Sequence, residues 1–173
     1  MQHMIKNHIS FEEVDMLRGM KGAQSLKVYI DEVGEFALNI IIESPNKKIK
    51  IQNIPERNAS DGDEYPKIVI KDIMKVEPGY KLVYKGDNVK DITILRDIAT
   101  WETNDRIWIV EIDIAIKIIF ETEELLLLTQ DSLAGFFKLF INNKMICIGE
   151  LLKDYWIMKT DQVKSLIRKE INV

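Results

Sequence analysis

Hydrophobic and polar positions alternate along much of this chain, and the longest such stretch is RIWIVEIDIAIKIIFETEELLLLTQD, from Arg106 to Asp131. Between Trp108 and Phe120 every even-numbered residue is apolar, while the odd positions mix Glu111, Asp113 and Lys117 with Ile107, Ile109, Ala115 and Ile119. A period of two is the mark of a strand with one buried face. The stretch therefore reads as a long amphipathic β-hairpin that turns at residues 121–124. The fourteen residues from Ile107 to Phe120 would extend about 46 Å, more than twice an ordinary strand. A bend or bulge is expected around residues 111–115, with the strand shared between two sheets or wrapped into a barrel wall.

Other segments carry the same alternation. Leu26, Val28 and Ile30 define one strand, Phe36, Leu38, Ile40 and Ile42 a second, and Ile49 with Ile51 a third. Further strands are expected at Ile68 and Ile70, at Tyr80, Leu82 and Tyr84, and at Ile92 and Ile94. Turns fall where Pro, Gly and Asn cluster: Ser44-Pro45-Asn46, Pro78-Gly79, Gly86-Asp87-Asn88 and residues 102–105. Residues 132–141 fit a helix or a strand. The strand is preferred from Phe136, returning through Asn142-Asn143 to residues 145–148.

Helical spacing occurs near both ends. Ser10 with Glu13 forms a capping box, Ile9 and Val14 a hydrophobic staple, and Phe11, Val14, Leu17 and Met20 an apolar stripe that ends at Gly19 or Gly22. This predicts a helix over residues 10–21. At the other end Val163, Leu166, Ile167 and Ile171 share a helical face, which predicts a helix over residues 161–171. The expected fold is mainly β within an α+β frame. About ten antiparallel strands form a meander, folded as a sandwich or a partly open barrel, with a helix near each terminus. One domain over residues 1–173 is expected, its β-rich body spanning residues 25–150.

Composition narrows the function classes. A net charge of −4 without a concentrated basic patch argues against nucleic-acid binding. Lys47, Lys48 and Lys50 are the nearest approach to such a patch, and they read as a solvated edge strand. The longest apolar run is interrupted by Glu111, Asp113 and Lys117, so no membrane span is expected. The first ten residues lack the apolar core of a secretory leader, and the single cysteine, Cys147, suits a reducing compartment. A cytoplasmic location is the expectation. With 19 lysines among 24 basic residues and 28 isoleucines, the composition also suggests AT-rich coding DNA, as in a low-GC bacterium or its phages.

Candidate chemistry is sparse. The two histidines, His3 and His8, stand before the first helix and show no metal-ligand spacing. Phosphate-binding loops and a nucleophile elbow are missing from the sequence. No metal and no cofactor is expected. The polar segment PERNASDGDEYP (residues 55–66) holds Asp61, Asp63 and Glu64, which do not match the D-x-[DN]-x-[DN]-G pattern of a calcium loop. Glu111 and Asp113 share one side of the long strand, about 7 Å apart, as an acid/base pair or ligand contact would require. A charged outer face is the simpler account of both residues. Among the aromatics, Trp108 belongs to the apolar stripe, and Tyr155-Trp156 would point to opposite sides of a strand.

These features lean away from an enzyme. The first expectation is a non-enzymatic intracellular binding protein that occludes a partner protein, as immunity proteins and inhibitors of host defence do. Asp61, Asp63, Glu64, Tyr65 and Trp156 are its candidate contacts. A small-molecule-binding barrel or sandwich is the alternative, and a phage or assembly structural protein a further one. An enzyme built on Glu111 and Asp113 ranks last.

Overall fold

The computed structural model describes residues 2–103, 105–129, 135–142, 156 and 163–173. Expectations for Tyr155, Cys147 and residues 132–134 and 143–148 lie outside the described residues. The chain is mainly β: 64% is strand, and one antiparallel sheet of many strands, not closed into a barrel, gives a broadly sandwich-like architecture. Described in chain order are β1 (Gln2–Asn7), α1 (Phe11–Arg18), β2 (Ser25–Val33), β3 (Phe36–Glu43), β4 (Lys48–Asn53), β5 (Glu56–Arg57) and β6 (Glu64–Tyr65). These are followed by β7 (Ile68–Asp72), β8 (Lys81–Asp87), β9 (Asp91–Thr103), β10 (Arg106–Ile119), β11 (Glu124–Thr129), β12 (Phe137–Asn142) and β13 (Val163–Asn172).

The main sheet has eleven strands, with the continuous order β13-β9-β10-β11-β12-β3-β2-β8. Two strands branch from that path: β4 joins β3 and carries β7, and β1 joins β10. The β1–β10 pair is parallel, with Gln2 opposite Ile107 and Asn7 opposite Ile112. The sheet is therefore not a pure antiparallel meander. Neighbours in space are often distant in sequence, as where Phe137 pairs with Ala37.

The long hairpin is present, and it breaks where its length requires. In the β9–β10 ladder Asp113 faces Arg96 and Ala115 faces Leu95, so Ile114 is the extra residue of a bulge. Residues directly opposite one another share a face, and faces alternate along each strand. Trp108, Val110 and Ile112 therefore lie with Trp101, Ala99 and Asp97, whereas Ile116 and Ile118 lie with Ile94 and Ile92 on the opposite face. The even-numbered stripe is thus divided between two cores. Ile116 and Ile118 enter the first, with Leu26, Val28, Ile40 and Ile49. Trp108, Val110 and Ile112 enter the second, with Ile5, Tyr65 and Trp156. In β11, Leu125 and Leu127 serve the first core while Leu126 and Leu128 serve the second, which is why that strand reads as an unbroken apolar run.

At the N-terminal end, α1 follows its capping signals. Ser10 Oγ accepts the Glu13 N–H, Glu13 Oε2 accepts the Ser10 N–H, and Gly19 forms the C-cap. Glu13 Oε1 also accepts the Ile70 N–H at 2.7 Å, which ties the helix to β7. Leu17 and Met20 are buried, but Phe11 is exposed and does not belong to the buried stripe. Gly86 has a packing role: a Cβ there would come within 2.7 Å of the Phe120 ring and 2.6 Å of the Tyr84 hydroxyl.

The expected C-terminal helix is a strand. Residues 163–172 form β13, an outer strand antiparallel to β9. Leu166 and Ile167, two members of the supposed helical face, remain about half exposed. Burial does not enforce their spacing; pairing with β9 decides the conformation instead.

Candidate interaction site

Two elements that sequence reasoning missed position this site, β1 and the small β5–β6 hairpin. The polar segment at residues 55–66 carries a two-stranded ladder, with Glu56 opposite Tyr65 and Arg57 opposite Glu64. Its turn is closed by the Asn58 N–H donating to Asp63 O and the Gly62 N–H donating to Asn58 O, both at 2.8 Å. Asn7 Nδ2 donates to the carbonyls of Tyr65 and Pro66 at 3.3 and 3.1 Å, which fastens the hairpin base to the end of β1.

Within the hairpin, the acidic side chains already serve as acceptors. Asp61 Oδ1 accepts the Asp63 N–H at 3.0 Å, and Asp61 Oδ2 accepts the Tyr65 hydroxyl at 2.7 Å. Asp63 Oδ1 accepts the Glu64 N–H at 3.1 Å. Tyr65 is buried in the second core, so it anchors the loop and does not offer its ring to a partner. Trp156 is buried as well, and its Nε1 donates to Asp97 Oδ2 at 2.8 Å. Of the five contact residues expected from sequence, Asp61, Asp63 and Glu64 lie at the hairpin's surface, while the two aromatic side chains are core.

Glu111 and Asp113 share a face, as expected, but their surroundings separate their roles. Asp113 is fully buried and held by Arg96 in a two-pronged pair, Nε to Oδ1 at 2.6 Å and Nη2 to Oδ2 at 3.0 Å. It also accepts the Ile9 N–H at 2.7 Å, linking β10 to the start of α1. This carboxylate is a structural tie. Glu111 is nearer the surface, 3.2 Å from His8 Nε2 and 3.8 Å from Lys6 Nζ. Despite that distance, His8 Nε2 is buried and makes no hydrogen bond. Burial, and then the Arg96 charge, hold the His8 imidazole below its usual pKa of 6.5, against the opposing pull of Asp113 and Glu111.

On the opposite face of the same ladder, Asp97 is fully buried and gripped by Arg168, Nε to Oδ1 at 2.7 Å and Nη2 to Oδ2 at 2.8 Å. Sequence reasoning missed both arginine pairs. The available signal was rarity: the chain has only five arginines beside nineteen lysines, and two of them stand where a planar two-pronged donor is required.

The second core is covered on its side of the sheet by a row of stacked rings. His3 lies on Trp108 at 4.4 Å, and Trp108 on Trp101 at 6.2 Å. The other side of these strands is open. Register places Met4, Ile107, Ile109, Ile98 and Ile167 together on that face, and Met4, Ile107 and Ile167 are 50, 44 and 53% exposed. Lys6, Glu111, Arg96 and Lys169 share the face as its charged groups. Beside the open face a cleft of about 270 Å³ runs between β1 and the β5 limb, lined by residues 4–7 and 56–59. A second cleft, of about 410 Å³, opens at the end of α1 beside residues 44–46. Neither cleft includes His8 or Glu111 in its lining.

No helix among the described residues is long and apolar enough to cross a membrane. Compared with protein-family models, curated proteins and solved structures, the chain gives no match.

Proposed function

We propose that the protein is a non-enzymatic intracellular binding protein that acts by covering a surface of a partner protein, in the manner of an immunity protein or an inhibitor of host defence. The observation that carries this reading is the open face of the β1-β10-β9-β13 half-sheet. There, three large apolar side chains, Met4, Ile107 and Ile167, stand about half exposed on one face that also carries Lys6, Glu111, Arg96 and Lys169. An apolar centre with a polar rim is the anatomy of a protein interface. The hairpin carrying Asp61, Asp63 and Glu64 is fastened to β1 through Asn7 on the second-core side of the sheet, and offers a separate acidic surface for a partner. The alternative is a small-molecule binder, for which the two surface clefts among the described residues are the candidate sites.

Site-specific photo-crosslinking tests the reading. Benzoylphenylalanine placed at Ile107 or Ile167 in the source cells is expected to give one dominant protein adduct. The same probe at Lys85, on β8, is expected to give none. Adducts from Lys85 alone, or a co-purifying metabolite with no protein adduct, would overturn it.

A further inference from the structure

We infer that the outer edge of β1 accepts an extended segment of the partner protein as an added strand, seated in the cleft beside the β5 limb, with an acidic side chain of that segment between Lys6 and Arg57. The inference rests on the protein-binding reading above and specifies how the partner is held.

The backbone supplies the first part of the argument. β1 pairs with β10 along one edge over all six of its residues, from Gln2 opposite Ile107 to Asn7 opposite Ile112. In a parallel ladder, alternate residues turn both their N–H and C=O away from the partner strand. Among the described residues β1 has no second strand neighbour, and no backbone hydrogen bond joins it to residues 56–59. Residues 4–7 of β1 line the 270 Å³ cleft. An exposed row of such groups is a template for another strand, and extended peptides commonly bind sheet edges this way.

Charge supplies the second part. Glu56 is engaged by Lys67 at 3.0 Å, which neutralises the one acidic side chain of the cleft wall. Arg57 Nε donates to the Gly62 carbonyl at 3.2 Å, a neutral acceptor, so its positive charge stays uncompensated by that contact. Lys6 is half exposed, with its nearest carboxylate, Glu111, at 3.8 Å. The two cations flank the cleft and select an acidic residue on the incoming segment. They also disfavour a second β1 as the occupant, because edge lysines oppose edge-to-edge pairing of identical strands.

The test uses the full chain and a phage-displayed library of random dodecapeptides as the probe. Enriched sequences are expected to alternate β-favouring residues with at least one Asp or Glu. Synthetic copies should slow hydrogen exchange at β1 amides. Arg57→Glu should weaken their binding about tenfold or more, a change of about 1.4 kcal/mol. Ala59→Trp, which fills the cleft from an exposed position, should weaken it similarly, and unfolding curves of both variants check that the fold is intact. Failure to enrich any peptide overturns the inference, as does binding that leaves β1 exchange unchanged or ignores both variants. A partner crosslinked through Ile107 that leaves β1 amides unprotected would overturn strand addition while leaving the covering of the sheet face in place.

Discussion

The two halves of β10 have the same alternating sequence but different surroundings. Beyond the bulge, β10 is flanked by β9 and β11, and Ala115, Ile116 and Ile118 are completely buried across both faces. Before the bulge, it is flanked by β9 and β1, with Trp108, Val110 and Ile112 buried on one face and Ile107 half exposed on the other. One half is a wall between two cores, and the other half has a core behind it and solvent in front. Alternation alone does not distinguish them, because it reports that one side of a strand is buried and is silent about the other. The bulge at Ile114 turns the even stripe from one core to the other and sets where the wall ends.

The largest expected effect comes from the walled half. Leu126→Ala and Leu127→Ala remove equal volume from the two faces of β11, and each should lower stability by about 3–4 kcal/mol. Urea unfolding at equilibrium measures both. If Leu126→Ala costs less than about 1 kcal/mol, the second cluster is not a close-packed core, and the comparison between the halves loses its basis.

The junction between the halves comes next. Asp113 joins Arg96 on β9 to the Ile9 N–H ahead of α1. Asp113→Ala should cost about 3 kcal/mol, because the guanidinium and the amide both lose a buried acceptor. Replacing Arg96 and Asp113 together with Met and Leu should restore part of that loss. A double variant no more stable than Asp113→Ala would show that the pair contributes more than mutual compensation of buried charge.

Much of this architecture was legible from residue pattern, for identifiable reasons. The long hairpin, its bulge near residue 114, the Ser10–Glu13 cap and the turns at Asn88 and Asp105 all follow from local chemistry. The two turn residues adopt positive φ, of 57° and 58°. β13 was misread because a half-exposed outer strand places little constraint on where its apolar residues fall. β1 is hard to see in the sequence because it is short, has only two apolar residues, Met4 and Ile5, side by side, and gains its role from parallel pairing with a strand 105 positions further along, as from Gln2 to Ile107. The site divides in the same way. The acidic residues of the 55–66 segment could be named from composition, but the burial of Tyr65 and Trp156 depends on tertiary packing that no local pattern encodes.

A smaller effect is expected at His8, beside Glu111 on the open half. Its pKa in the fold is lowered, chiefly by burial and next by Arg96, so the unfolded chain takes up the proton first as pH falls below about 6.5. The folded state then loses stability progressively until the folded pKa is passed. His8→Gln should remove that component. Unfolding midpoints at about pH 7.5 and about pH 5.5 should therefore fall less in the variant than in the parent protein. Equal falls would mean that burial beside Arg96 does not lower the His8 pKa in solution.

The smallest expected stability effect lies on the open face, and it bears most directly on function. Ile107→Ser replaces a side chain that is 44% exposed, so stability should change by no more than about 0.5 kcal/mol. If this face is covered by a partner, the same substitution places a hydroxyl in the apolar centre of the contact and should weaken binding about tenfold or more. Ile118→Ser, in the walled half, is expected to do the reverse: it damages the fold first and affects binding only through unfolding. Stability by urea titration and partner binding by calorimetry, measured on both variants, separate the two outcomes. If Ile107→Ser destabilises the protein as strongly as Ile118→Ser, the open half is not open in solution, and the covering surface must be sought elsewhere on the molecule.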